Sequence, residues 1–162
     1  MNNEEYSLIT ELECKGEEKK AFQLLERLAN EGHPMALLDL SLRYYSIEGH
    51  VNPVHPLDPD FEKSESLAKL GKKSLEKMAL TNDGEAMRML AYCYFGYWGP
   101  YLNKNIEQAE KWLLKAYQAK CYAAANDLAT FYQGSDIEKA KFYYKEAERH
   151  DCRYIYNVNL ET

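Results

Sequence analysis

The sequence predicts an all-α protein, a short α-solenoid in which antiparallel helix pairs stack in chain order. A pattern of Ala, then Leu four residues later, then Tyr four residues after that occurs three times, and this spacing puts the three side chains on one stripe of a helix. A second helical pattern precedes each triplet and is separated from its Ala by a constant step of eight residues. The triplets are Ala36/Leu40/Tyr44, Ala86/Leu90/Tyr94 and Ala124/Leu128/Tyr132.

The constant step predicts a tight turn of fixed shape between the two helices of a pair. Gly32 and Asn82 lie inside two of these turns, and both residue types accept the left-handed conformation that often ends a helix. We therefore expect a left-handed residue in the turn. The step joins Leu28 to Ala36, Met78 to Ala86 and Ala116 to Ala124.

A single domain over residues 1–162 is expected, because this is the size of one ordinary domain and the repeats run through most of it. A helix near Asn3–Cys14 opens the array, and a helix near Asp136–His150 closes it. Residues 151–162 follow where another repeat would begin, but the pattern fails there. We expect this C-terminal tail to pack on the last helix through Tyr154, Ile155 and Tyr156.

The first repeat is longer than the second. Ala36 and Ala86 are 50 residues apart, whereas Ala86 and Ala124 are 38 apart. The surplus contains prolines, which no helix interior accommodates, so we expect a proline-rich inserted loop over about residues 48–60 and a helix that resumes near Phe61 or Glu62. Four side chains of this loop are of metal-binding types, but the absence of a His-x-x-x-His pair or a cysteine favours a solvated loop. They are His50, His55, Asp58 and Asp60.

The charge of the chain limits its partners. The sequence has 26 acidic residues and 20 Lys and Arg, and the net charge of −6 would repel a phosphate backbone, so nucleic acid is not expected as a partner. Acidic side chains are concentrated in the first 31 residues. A basic protein would suit that end, although a solvated helix surface is the commoner reason for such charge.

No stretch is apolar over a length that could cross a membrane, and the start lacks a positively charged leader followed by an apolar run. These features favour a cytoplasmic protein that binds no membrane. The cysteines are scattered, without a Cys-x-x-Cys pair, as is typical of reduced thiols. They are Cys14, Cys93, Cys121 and Cys152.

The sequence has no pattern typical of an enzyme. It contains no Gly-x-Ser-x-Gly elbow, no phosphate-binding glycine loop and no nucleophile, base and acid that its elements bring together. His33 and His150 lie near predicted helix C-termini, where a positively charged imidazolium interacts favourably with the helix dipole. We expect no enzymatic activity, no catalytic residue, no cofactor and no bound metal.

From about Lys20 to Glu148 the repeats resemble the Sel-one-like repeat family, a branch of the tetratricopeptide-like solenoids. The stretches ANDLATFYQG and AEKWLLKA match the two helices of that family's unit best. Ser41, Ala91 and Ala129 replace the glycine that the family has after Leu. The resemblance implies a right-handed solenoid whose repeats bind other proteins.

Each triplet helix has a second stripe opposite its Ala, Leu and Tyr. In tetratricopeptide-like solenoids these positions line the concave surface, so the resemblance implies that their side chains face a partner. The middle helix has Arg88, Tyr92 and Phe95 there, and these residue types are frequent hot spots of binding. The predicted protein-binding residues are Tyr45, Glu85, Arg88, Tyr92, Phe95, Asn126, Thr130 and Gln133.

The same stripe of the first triplet helix is apolar, with Met35, Leu38 and Leu42. It either extends the exposed surface or belongs to the core. For the two leucines the core is favoured, because the N-terminal helix could cover them through apolar side chains. These are Tyr6, Ile9 and Leu12.

The leading interpretation is a non-catalytic module, an adaptor or regulator that binds another protein. One alternative is a small acidic inhibitor or immunity protein that neutralises a toxin or enzyme by electrostatically steered binding. A further alternative is a structural module that self-associates through its ends, where Tyr143, Tyr144 and Tyr154 lie. A monomer is favoured over a homo-oligomer.

Overall fold

A computed structural model describes residues 4–45 and 59–152, and this part of the chain is helical with no strand. The all-α prediction is confirmed. No helix in the described ranges combines the length and the apolar character needed to cross a membrane. The helices are α1 Glu4–Cys14, α2 Glu18–Asn30, α3 Pro34–Tyr45, α4 Phe61–Ala79, α5 Gly84–Phe95, α6 Ile106–Gln118, α7 Ala123–Tyr132 and α8 Ile137–Arg149.

Two predicted features fall wholly or mostly outside the described residues. Of the proline-rich loop only the last two residues, Pro59 and Asp60, are described, so His50, His55 and Asp58 lie outside. The predicted contacts of the C-terminal tail also lie outside, since Tyr154, Ile155 and Tyr156 follow the last described residue, Cys152.

The helices pack in chain order. Every extensive contact between described helices joins neighbours in sequence, and the closest pairs are α3 with α4, α5 with α6 and α7 with α8. Apolar side chains fill the space between them, and the Ala and Leu of each triplet are buried. Packing in chain order is what the repeat predicts, but each triplet helix makes its most extensive contacts with the helix that follows it and smaller ones with the helix to which the eight-residue step joins it.

The turn between paired helices has the predicted shape. Gly32, Asn82 and Lys120 each have a positive φ, between 63° and 84°. The backbone amide that follows each of them bonds to the carbonyl five residues earlier, as Cys121 does to Ala116 at 3.0 Å. This bond is the hallmark of a Schellman helix end, and it explains why the eight-residue step is constant. Asp151, with φ 52°, ends α8 in the same way.

Side chains also fix where several helices begin. The carboxylate of Asp60 accepts the backbone N–H of Lys63 at 2.9 Å, so α4 begins at Phe61 as predicted. Asp60, one of the four residues considered for metal binding, therefore serves as the N-terminal cap of α4. Asp83, Asn105 and Asp136 cap α5, α6 and α8 in the same manner.

Both histidines lie near helix C-termini, as predicted. His150 is the C-terminal cap residue of α8. His33 follows the end of α2, where its backbone N–H bonds to the Leu28 carbonyl at 2.9 Å, and its Nδ1 accepts the backbone N–H of Ala36 at 3.4 Å at the start of α3.

The apolar stripe of α3 is largely core. Met35 and Leu38 are buried, and Leu42 is half-buried. Two elements contribute to the cover. Tyr6 of α1 packs against the cluster that contains Met35 and Leu38, as expected, and Leu38 also packs against Gly71 of α4, where a Cβ would lie 2.8 Å from its Cγ. Ile9 of α1 packs instead in a second cluster, with Leu37 and other residues of α2 and α3. This end of the predicted surface is therefore filled by the protein itself.

Candidate protein-binding cleft

A cleft with a volume of about 590 Å³ opens between α5 and α7. Five of the predicted binding residues line it, namely Arg88, Tyr92, Phe95, Asn126 and Thr130. Three residues that the sequence analysis did not select complete the lining, namely Tyr97, Asp127 and Phe131.

Arg88 ties the two walls of the cleft together. Its Nε donates to Oδ2 of Asp127 at 2.5 Å, and its Nη2 donates to Oδ1 of the same carboxylate at 3.4 Å. Nη2 also donates to the Tyr92 hydroxyl at 2.8 Å, and Nη1 donates to Glu85 at 3.3 Å. The side chains of Arg88 and Asp127 are only 13% and 12% exposed. A partly buried ion pair therefore joins α5 to α7.

The network keeps Arg88 positively charged and uses its N–H groups for bonds within the protein. Burial alone would lower the pKa of Arg88, but the hydrogen bond and the charge of Asp127 outweigh burial and raise that pKa. Burial, and then the charge of Asp127, raises the pKa of Tyr92. Arg88 was expected to offer its charge to a partner. In the structure the guanidinium is already bonded to Asp127, Glu85 and Tyr92, so its role is to hold the walls of the cleft in place.

Glu85 is not part of the cleft lining, but it extends this network. Its second carboxylate oxygen accepts a hydrogen bond from the Cys121 thiol at 3.4 Å. Burial, and then the charge of Glu85, raises the pKa of Cys121 to about 12. Cys121 is therefore a neutral thiol near pH 7, and all four cysteines of the chain are free.

Aromatic rings form the apolar part of the cleft wall. The ring centroid of Phe95 lies 5.9 Å from that of Phe131 and 5.8 Å from that of Tyr97. Tyr97 also meets Tyr92 edge to face at 5.4 Å. Tyr97 is 65% exposed, so a large aromatic side chain stands at the mouth of the cleft.

The end of α5 explains the position of Tyr97. Gly96 takes the left-handed conformation with φ 84°, and the amide of Tyr97 then bonds to the Tyr92 carbonyl at 3.2 Å. In this type of helix end the residue after the glycine commonly contacts a residue of the last turn, as Tyr97 contacts Tyr92. A glycine at the end of a predicted helix, Gly96, is therefore the sequence feature that could have indicated a role for Tyr97.

Asn126 and Thr130 contribute two uncharged polar side chains to the α7 wall of the cleft. Asn126 is 7% exposed, and the Thr130 hydroxyl donates to its main-chain carbonyl at 3.1 Å. The hydroxyl is therefore already engaged within α7.

The remaining predicted residues lie away from the cleft. Tyr45 ends α3 and meets Phe61 and Tyr101 edge to face, with ring centroids 6.0 Å and 5.7 Å away. Gln133 is an exposed residue at the end of α7.

Asp127 and Phe131 were missed because helical position alone does not select them. The pairing of Arg88 with Asp127 spans 39 residues, one more than the distance between the equivalent Ala86 and Ala124. The predicted stripe contained Asn126 and Thr130, whereas the residues that line the cleft with them, Asp127 and Phe131, each come one position later in the sequence. Only the fold shows that both residues line the cleft, where Asp127 meets Arg88 and Phe131 meets Phe95.

No cluster of three or more His, Cys, Asp or Glu that could hold a metal ion occurs within residues 4–45 and 59–152. The polar groups of the cleft are mostly paired with one another, and they present no open ligand set. A scan against models of known protein families finds no match to this chain, and a search of curated proteins finds no significant relative.

Proposed function

We propose that the protein is a short right-handed α-solenoid of Sel-one-like repeats that binds another protein in the cleft between α5 and α7. The observation that carries this proposal is the aromatic wall of Phe95, Tyr97 and Phe131, with Tyr97 65% exposed at its mouth. Exposed apolar patches of this kind mark interaction sites, because leaving such groups in water is unfavourable.

The cleft is suited to a partner because its aromatic rings are held in place. Each aromatic side chain that a partner covers would contribute roughly 2 kcal/mol to binding. The ion pair between Arg88 and Asp127 holds the two helices in register before a partner arrives. Little conformational freedom would then be lost on binding, which favours affinity.

We also propose that the module is non-catalytic, as an adaptor or regulator would be. The carboxylates of Glu85 and Asp127 are engaged by Arg88, so neither is free to act as a general base. The raised pKa of Cys121 leaves little thiolate to act as a nucleophile.

The inhibitor alternative depends on free negative charge near the N-terminal end. Several of these carboxylates are already paired within the chain. Arg27 lies 3.1 Å from both Glu5 and Glu31, and Arg43 lies 2.7 Å from Glu13. These ion pairs leave fewer free carboxylates for a basic partner to contact directly, which favours the adaptor or regulator, although the net charge that would steer such a partner is unchanged.

The test is affinity capture from the native cell's lysate with wild type and two cleft variants. Tyr97→Ala removes the exposed ring, and Thr130→Arg places a bulky charge at the rim. Both positions are exposed, so neither change should disturb folding, which circular dichroism would verify. We expect one captured protein to be lost in both variants.

Phe142→Ala is the matched control, because Phe142 is an aromatic residue of α8 that is 53% exposed and lies outside the cleft. It should retain the captured protein. Equal capture by wild type and both cleft variants would refute the cleft as the site. Capture of the protein's own chain, lost in Phe142→Ala, would support the self-associating alternative instead.

A further inference from the structure

Helix α1 lies on α2 and α3 in the way that a bound helical peptide lies in a groove. It presents one stripe of side chains to them, and at the centre of this stripe Ile9 is buried among apolar residues of both helices, such as Leu37. The partly buried members of the stripe are Tyr6, Leu12 and Glu13. An amphipathic helix that fills an apolar groove is a common mode of recognition between proteins.

Two arginines beneath α1 bond to its carboxylates. Nη2 of Arg43 donates to Glu13 at 2.7 Å, and Nη2 of Arg27 donates to Glu5 at 3.1 Å. The pair of Arg43 and Glu13 is the more sheltered, with side chains that are 15% and 24% exposed. Helix α1 itself carries four glutamates and neither Lys nor Arg. The surface under α1 therefore complements an acidic helix.

Each of these arginines also bonds to a carboxylate of its own helix, four residues away. Nε of Arg43 donates to Asp39 at 3.3 Å, and Nη1 of Arg27 donates to Glu31 at 3.1 Å. A guanidinium can bond several acceptors in fixed directions, so these bonds orient both arginines independently of α1. The surface is thus organised in advance for the carboxylates of a helix.

The attachment of α1 is weak compared with that of the inner helices. Ile9 is the one side chain that α1 buries, whereas α3 buries seven. In the described part of the chain, α1 makes its only extensive helix contact with α2. The link to α2 contains Gly16, with φ 73° and open space around the position of a Cβ. A helix held in this way detaches at a much lower free energy than the whole protein unfolds.

We propose that the surface of α2 and α3 beneath α1 is a second protein-binding site, which α1 occupies until an acidic amphipathic helix of a partner displaces it. The contacts of α1 define the chemistry of that helix. It has apolar side chains in place of Tyr6, Ile9 and Leu12, and a carboxylate that reaches Arg43. This site is separate from the cleft between α5 and α7 and goes beyond the proposed function. The cleft variants of the capture experiment leave it intact, so the two tests are independent.

The test uses a peptide of residues 4–15 as the probe. It is titrated into the ¹⁵N-labelled full chain, as wild type and as the double variant Tyr6→Ala/Ile9→Ala, and chemical shifts are followed by NMR. In the double variant the chain's own α1 has lost two apolar contacts, while the surface beneath it is unchanged. We expect the peptide to shift signals of α2 and α3 and to bind the double variant about tenfold more tightly than wild type, because the attached α1 competes for the same surface.

A further change tests the recognition of charge. Arg43→Met, added to the double variant, should weaken binding of the peptide by about fivefold, the effect of losing a hydrogen bond between charged groups. A peptide with Glu13→Gln should lose a similar factor, but it should lose little more against Arg43→Met, since both changes break the same pair. Arg149→Met is the matched control, because Arg149 is an arginine of α8 whose side chain is 71% exposed. It should leave binding unchanged.

Hydrogen exchange of wild type gives a second measurement, which needs no variant. Excess peptide should speed the exchange of α1, because it holds the detached state open, and should leave α5 unchanged. Exchange of α1 that the peptide does not alter would overturn the inference and leave α1 as a fixed cap of the array.

Other results would also overturn it. Equal binding to wild type and the double variant, or shifts outside α2 and α3, would place the peptide elsewhere. Undiminished binding to Arg43→Met would mean that the surface does not select an acidic helix. Dimers of wild type that form by exchange of α1 would assign the surface to a second copy of the chain instead of a partner.

Discussion

At the scale of single residues, Arg88 has the largest influence on the candidate site. Its guanidinium joins α5 to α7 through Asp127 and reaches Glu85 and Tyr92 within its own helix. An arginine suits this role because its planar group can bond several acceptors in fixed directions. The shape of the cleft therefore depends on a residue that a partner can barely touch.

We predict that Arg88→Met and Asp127→Asn will each lower the free energy of unfolding by about 2 kcal/mol, because each leaves a largely buried polar group unpaired. The double variant should lose less than the sum of the two, since the two residues act on each other. Urea denaturation of the four proteins measures these differences. Lys69→Met is the control for an exposed ion pair, with Glu65, and should cost no more than about 0.5 kcal/mol. Additive losses would show that the two residues do not act as a pair.

At the scale of elements, the close approach of α3 and α4 depends on Gly71. A Cβ at this position would lie 2.8 Å from the Leu38 Cγ and 3.0 Å from the Pro34 carbonyl oxygen. Leu38 is fully buried, so its side chain has no free space into which it could move. The glycine thus allows α4 to cover the apolar stripe of α3.

We predict that Gly71→Ala will destabilise the protein by about 1–2 kcal/mol, although alanine favours a helix by about 1 kcal/mol. The steric clash with Leu38 is the larger effect. Thermal unfolding measures the change. Gly134→Ala should be nearly neutral, because nothing lies within 4 Å of a Cβ there and φ is not positive. A stability gain in Gly71→Ala would mean that the two helices can move apart without cost.

At the scale of the whole molecule, each helix packs mainly on its neighbours in sequence, so stability should vary along the chain. The terminal helices α1 and α8 bury the fewest side chains and should be the least stable. Among described residues, α1 buries only Ile9, and α8 buries only Ala140 and Ala147. The central helix α5 buries six residues and packs between α4 and α6.

We predict that amide hydrogen exchange will be slowest in α5 and α6 and faster in α1 and α8, because a terminal helix has one neighbour to detach from and a central helix has two. Exchange followed by mass spectrometry or NMR measures this order. The Gly134→Ala variant, expected to be neutral, should show the same order. Uniform protection in every helix would contradict the nearest-neighbour packing that the solenoid proposal requires.

The sequence by itself determined the elements and their order. The spacing of four residues between apolar positions, the prolines of the inserted loop and the fixed turn step located the helices to within a residue or two, as the start of α4 at Phe61 shows. The expected left-handed residues, Gly32 and Asn82, are where they were predicted. Such features depend on residues close together in the chain, so local patterns reveal them.

The tertiary structure alone decided which side chains meet. It paired Arg88 with Asp127 across 39 residues, and it placed Gly71 of α4 against Leu38 in addition to the expected cover from Tyr6 of α1. Helical periodicity gives the direction of a side chain about its own axis, but the rotation and distance of the neighbouring helix determine its contacts. Those contacts turn a predicted stripe into a cleft.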